Sequence, residues 1–284
     1  MVKHLTIQDF FSQFPNDEAC IAHLFKMRFG DDFGCPKCGE IGKFRKLAKQ
    51  PAYTCNCGHH IHPMRGTIFQ DSHTPLAKWF YAIYLFTTTR HGVPAKELQR
   101  QVGVSYPTAF RMAHLIRDHM GKTDGDKPLS GHIEADEAWI GGVRPGPRGR
   151  GALGKTVVFG MLQRHGDVMT KIVPDTTKAT LQAHIMANVE RPSVISTDEN
   201  SSYGGLSSKG YVHGAVNHSK EEYVRDIHHT NGLEGFWAMI KRSIRGTHIH
   251  VSRKYMAKYL GEFEYRYNMR HLPELMSARL VLSF

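Results

Sequence analysis

Residues 131–142 read G-H-I-E-A-D-E-A-W-I-G-G, an apolar run carrying three carboxylates between bounding glycines. With the period of two that a strand imposes, Glu134 and Asp136 share one face while Ile133, Ala135 and Glu137 take the other. The run predicts a buried strand that ends in a carboxylate pair, with Asp136 at its centre. Taken alone it is equally compatible with an exposed acidic strand end. The rest of the chain is needed to choose between the two.

Downstream, T-V-V-F-G-M-L-Q and V-M-T-K-I-V-P read as two strands joined by R-H-G-D, a hairpin laid onto the Asp136 strand. Thr176 or Thr177 can cap the helix of K-A-T-L-Q-A-H-I-M-A-N-V, and P-S-V-I-S-T-D then gives a short buried strand ending at Asp198. Strand, hairpin, helix, strand is a mixed α/β layout that allows Asp136 and Asp198 to be neighbours. A third carboxylate sits in H-H-T-N-G-L-E-G-F-W-A-M-I-K-R, residues 228–242. Asn231 and Glu234 there also fit a capping-box-like helix entry. Glu234 and Lys241 lie two turns apart on one helix face. Between the first two strands, Arg144, Arg148, Arg150 and Lys155 fall among glycines and prolines, a basic loop suited to a phosphate backbone or a solvated hairpin tip. The final amphipathic helix, from Ser252, is read as packing, with Lys254, Lys258 and Arg266 available to phosphate.

The 284 residues carry a net charge of +11 and a pI near 9.4. The excess is shared, with 17 basic against 11 acidic residues in 1–130 and 20 against 15 beyond. A polyanion spread along the molecule is implied, nucleic acid before membrane. The chain opens without a signal-peptide core and no apolar run is long enough to span a bilayer, so a cytoplasmic protein is expected. In that reducing compartment the close-set cysteines suggest metal rather than disulfides.

C-P-K-C at 35–38 and C-N-C at 55–57 flank a basic, strand-length spacer, the arrangement of a zinc ribbon. Cys35, Cys38, Cys55 and Cys57 are the favoured ligands. Because the second pair is C-x-C, His59, His60 or His62 can stand in for Cys55 or Cys57. The segment M-R-G-T-I-F reads as a further strand, and Trp79, Phe80, Ile83 and Phe86 as the core stripe of a helix. V-P-A-K-E-L-Q-R-Q-V-G-V-S-Y-P-T-A-F-R-M-A-H-L-I-R reads as a helix-turn-helix about Gly103, with Leu98, Val102, Val104, Ala109, Met112 and Ile116 inside. Tyr106, Thr108 and Arg111 then stand at the exposed start of the second helix, as candidates for DNA contact. The domains expected are a helical lead-in over 1–30, a zinc ribbon over 31–72, a helical DNA-binding unit over 73–122 and an α/β catalytic domain over 131–284.

Asp136, Asp198 and Glu234, separated by 61 and 35 residues and followed by E-x6-K, resemble the D-D-E signature of transposases with an RNase H-like core. With C-P-K-C, R-G-T-I-F, P-L-A-K-W-F, I-E-A-D-E-A-W-I-G-G and E-F-E-Y-R-Y-N-M-R added, the chain from Cys35 to Arg270 resembles insertion-sequence transposases with an N-terminal zinc ribbon, related to the Merlin-type elements of eukaryotes. The resemblance implies an RNase H-like mixed-sheet core behind a zinc ribbon and a helix-turn-helix. It further implies a structural zinc, and catalytic magnesium or manganese held by Asp136, Asp198 and Glu234, with Asn231 as the other candidate for the third place. Lys241 would contact phosphate. The implied partner is double-stranded DNA, both element ends and target, bound by a homo-oligomer, with ends cleaved and their 3′-OH groups joined to the target. A catalytically silent zinc-ribbon regulator and an RNase H-like nuclease without strand transfer are the competing readings; three intact acids oppose the first, and separate end-reading modules oppose the second.

Overall fold

The computed structural model describes residues 6–89, 91–124, 127–141 and 155–282. The chain folds as two compact units, residues 1–119 with 271–284, and residues 120–270. The division falls inside a helix rather than in the polar stretch 123–130 where sequence placed it. The last helix, moreover, belongs to the first unit and not to the domain of the acidic strand.

In the first unit α1 (Ile7–Gln13) opens on a Thr6/Asp9 capping box, and α2 (Asp17–Phe29) on Asn16, whose side chain accepts from the Ala19 N–H. A small antiparallel sheet follows, formed by β1 (Phe44–Lys46), β2 (Tyr53–Cys55) and β3 (His60–Ile61). Phe25 of α2 stacks on Tyr53 with centroids 3.9 Å apart, and Lys46 Nζ lies 2.5 Å from Glu18 Oε1. The helix read as a lead-in therefore forms one wall of the ribbon's core. Residues 64–69, expected as a strand, are successive turns instead. Gly66 there has φ +78°, which breaks any extended run, and Arg28 holds the carbonyls of Pro63 and Arg65.

α3 (Leu76–Thr88) buries Trp79, Phe80, Ile83 and Phe86, as its spacing predicts. α4 (Ala95–Val102) ends on Gly103 in the left-handed region, and α5 (Tyr106–Asp124) follows. Leu98, Val102, Ala109, Met112 and Ile116 are buried, whereas Val104, expected with them, is only half-buried. α9 (Leu275–Leu282) meets α2 and α3 through Met276, Leu280 and Val281, an apolar stripe that would otherwise face water.

The second unit is built on a five-stranded sheet of order β6-β5-β4-β7-β8. β4 (His132–Ile140), β5 (Thr156–Gln163) and β6 (Val168–Ile172) form the predicted antiparallel meander. α6 (Lys178–Asn188) crosses over to β7 (Val194–Thr197), which runs parallel to β4, and β8 (Val212–Ala215) adds a second parallel strand beside β7. Four residues including His213 and Gly214 carry no alternation that sequence could use.

Alternate residues of β4 feed two cores. Ile133 and Ala135 pack with Phe159, Leu181, Ile185 and Tyr203 on one face. Ala138 and Ile140 pack on the other with Leu233, Phe236 and Trp237 of α7 (Asn231–Ser243) and with Leu260 and Phe263 of α8 (Met256–Asn268). This is the expected RNase H-like mixed sheet. Arg266, offered as a phosphate contact, is instead turned onto the buried Glu262 at 3.0 Å.

Candidate active site and metal sites

The four cysteines converge. One ligand atom from each of Cys35, Cys38, Cys55 and Cys57 lies within 4.8 Å of every other, with Cys35–Cys57 and Cys38–Cys55 sulfurs 3.6 Å apart. A tetrahedral ion with bonds of about 2.3 Å has sulfur–sulfur edges near 3.8 Å, so the set fits zinc. Tight turns aim each pair: the Gly39 N–H donates to Cys35 O and the Gly58 N–H to Cys55 O. His59, His60 and His62 stand outside the group, which leaves the four-sulfur arrangement.

In the second unit, carboxylate oxygens of Asp136, Glu137 and Asp198 lie within 4.8 Å of one another. Asp136 and Glu137 start from opposite faces of β4, yet they meet because β7 pairs only with residues 132–134. Beyond that point this edge of β4 has no strand partner among the described residues, and Asp198 follows directly on the end of β7. Alternation alone would send Glu137 away from the site; the shortness of β7 overrides it.

Glu234 is outside that group, but its charge is felt there. Burial first, then the charge of Asp198, and further on that of Glu234, lift the Asp136 carboxyl to about 6. The Glu234 side chain is 43% exposed, accepts from Thr230 Oγ1 at 2.9 Å and has His218 Nε2 at 3.5 Å. The helix entry is not a capping box: Thr230 is the N-cap, its side chain caps no backbone N–H, and Asn231 is the first helical residue, exposed. Lys241 is exposed two turns further on.

Three buried polar groups stand around the acids: the Trp237 indole beside Asp136, the Tyr203 hydroxyl beside Glu137, and His218 Nε2, 3.5 Å from Glu234 Oε1. Tyr203 is 0% exposed and faces Glu137, Asp136 and Asp198; burial and then those charges hold its proton on well above the ordinary range. A cluster of hard carboxylate oxygens within 4.8 Å of one another fits a divalent cation of the magnesium type.

Gly160, Glu134, Arg164 and Tyr203 shape the site without a sequence motif to announce them. Gly160 sits opposite Asp136 in the β4–β5 register, and a Cβ there would be 2.4 Å from the Trp237 ring. A glycine inside a strand is the one available signal for such a close approach. Asn200, which donates to Glu137 Oε1 at 3.2 Å, carried no signal at all. Glu199, next to Asp198, turns away to the Ser219 hydroxyl and the N–H groups of His218 and Ser219, and those bonds hold its carboxyl down at about 2.

Tyr106 and Arg111 are exposed and Thr108 half-buried at the start of α5, with Lys96 Nζ 4.6 Å from the Tyr106 ring centre. Arg144, Arg148 and Arg150 lie outside the described residues; Lys155 is half-buried just before β5.

The sheet order is that of an RNase H-like core. Residues 128–268 match the family described as the ISXO2-like transposase domain, and residues 15–60 match the transposase zinc-ribbon domain. These two matches put an ISXO2-like transposase domain behind a transposase zinc ribbon in this chain. The ribbon match takes in α2, in keeping with its packing. The chain is 27% identical over 286 residues to an uncharacterized protein in transposable element ISH50 of Halobacterium salinarum, covering 91% of this chain and 93% of that one. An uncharacterized transposase-like protein of Haemophilus influenzae is 29% identical over 110 residues, 39% of this chain and 88% of its own. Among solved structures, a pre-cleavage Mos1 transpososome aligns over 72% of this chain and 78% of its own at 14% identity and a TM-score of 0.31. A Mos1 transposase paired-end complex aligns over 71% and 77% at 13% identity and the same TM-score of 0.31.

Proposed function

We propose that the protein is a DNA transposase that binds the inverted repeats of an insertion sequence, cleaves at its ends and joins the freed 3′-OH groups to target DNA. The observation that carries this reading is the convergence of Asp136, Glu137 and Asp198 within 4.8 Å, with Glu234 brought near them on α7. Asp136 and Asp198 would hold a pair of magnesium or manganese ions together with Glu234, and Glu137 adds a fourth carboxylate. Such ions supply Lewis-acid stabilisation of the attacking and leaving oxygens of a phosphodiester. The residues of the chain place the carboxylates, exclude bulk water through Tyr203 and Trp237, and offer Lys241 to a phosphate.

The zinc ribbon and the α4–α5 pair would read the element ends, Tyr106, Thr108 and Arg111 from the start of α5. Arg144, Arg148, Arg150 and Lys155 would grip phosphate as a homo-oligomer assembles on DNA.

The test is an incubation of the full chain with DNA carrying the sequences that flank its own gene, a labelled target plasmid and magnesium. End cleavage followed by covalent joining of the 3′ ends is expected. Nicking without joining would replace the reading by a nuclease, and binding without cleavage by a regulator.

A further inference from the structure

The helix that brings Glu234 to the site is not capped by its own sequence. Thr230 stands at the N-cap but makes no side-chain cap, and its hydroxyl goes to Glu234 instead. The cap comes from across the sheet. Glu134 of β4, 1% exposed, accepts the Leu233 N–H on Oε2 at 2.9 Å. An acceptor carboxylate at a helix N-terminus also meets the positive end of the helix dipole. Gly232 makes the approach feasible, since a Cβ there would sit 2.9 Å from Glu134 Oε2.

Oε1 of the same carboxylate accepts from Arg164 Nε at 3.0 Å, and His229 Nδ1 lies 3.1 Å from it. The Arg164 guanidinium then donates through Nη1 to Ile227 O at 2.7 Å and through Nη2 to His229 O at 3.0 Å. One ion pair, its carboxylate buried and its guanidinium partly exposed, thus grips both the first turn of α7 and the segment leading into it. Burying the Glu134 carboxylate is a costly way to obtain stability alone, because its desolvation offsets much of the attraction to Arg164. Glu134 and Asp136 lie on one face of one strand about 7 Å apart along it, and Leu233 immediately precedes Glu234. The pair therefore ties the backbone of one acid to that of another.

We infer that Glu134 and Arg164 form a latch that sets Glu234 relative to Asp136, making both positioning residues for the third carboxylate. This rests on the transposase reading for its consequence in catalysis. The geometry of the latch can be tested apart from it.

The experiment uses the full chain, with Glu134→Gln and Arg164→Lys as variants. Glutamine keeps the acceptor but not the charge; lysine keeps the charge but cannot hold several acceptors in one plane. Hydrogen exchange over residues 231–236 should speed up in both. Manganese affinity, followed by electron paramagnetic resonance, should fall by about tenfold, the usual cost of losing an outer partner of a metal site. Placed on a Glu234→Gln background, either substitution should lower manganese affinity no further. Unchanged exchange in α7, or an equal affinity loss on that background, would overturn the latch, as would collapse of the fold in both variants. If the unaltered chain binds no manganese, the transposase reading fails, and the exchange data alone decide the latch.

Discussion

The indole of Trp237 fills the space that a side chain at position 160 would take, and Gly160 is the β5 partner of Asp136. Bare backbone at that point of the sheet lets α7 settle against it. Gly160→Ala should therefore push the ring, and the helix with it, away from Asp136. Overpacking of this kind costs about 1–3 kcal/mol. The variant should melt lower, with a changed near-ultraviolet tryptophan signal, and lose end cleavage while still shifting terminal-repeat DNA; cleavage at the unaltered rate would show that α7 tolerates displacement.

The carboxylates should separate chemistry from binding. Asp136→Asn, Asp198→Asn and Glu234→Gln are expected to abolish magnesium-dependent cleavage and leave gel shifts intact, since each removes charge without volume. Glu137→Gln should join them, because its carboxylate reaches the same cluster; by strand alternation it would have served as a harmless control. Glu199→Gln takes that place, its oxygens being spent on residues 218 and 219. If Glu234→Gln cleaves and Asn231→Ala does not, the third ligand is Asn231.

Glu264 gives the fold a pH dependence. It is half-buried against β6, where desolvation first and the charge of Asp124 later lift its carboxyl to about 8, against the opposing bond from Thr170. Its folded pKa thus exceeds the unfolded one of 4.5, so the folded state binds the extra proton. Stability is full below the unfolded value and is lost as pH rises toward the folded one. Urea midpoints should fall between pH 5 and 8, by on the order of a few kcal/mol in stability, and Glu264→Gln should flatten the dependence. A wild-type midpoint that is level across that range would refute the assignment.

The cysteine site should hold one zinc per chain, with affinity coupled to folding of the ribbon. Cys35→Ser is expected to release the metal, loosen the packing of Phe25 on Tyr53 and weaken end binding, while residues 120–270 keep their fold. Metal analysis and far-ultraviolet circular dichroism check this; a stoichiometric zinc retained by the serine variant would count against the four-sulfur site.

Order along the chain was legible wherever a local pattern exists. The cysteine spacing announced a ribbon, the alternation of residues 132–140 announced β4, the 3.6-residue stripe announced α3, and the turn at Gly103 announced the α4–α5 pair. Those signals act over a few residues and survive any packing. What packing decides has no such trace. Glu137 reaches the acids because β7 stops short, a fact about a neighbour about 60 residues away. Glu134 caps a helix 99 residues downstream, and α9 returns to the first unit to bury its apolar stripe. Each depends on which surfaces meet once the chain has folded, and side-chain periodicity says nothing about the identity of the surface it will face.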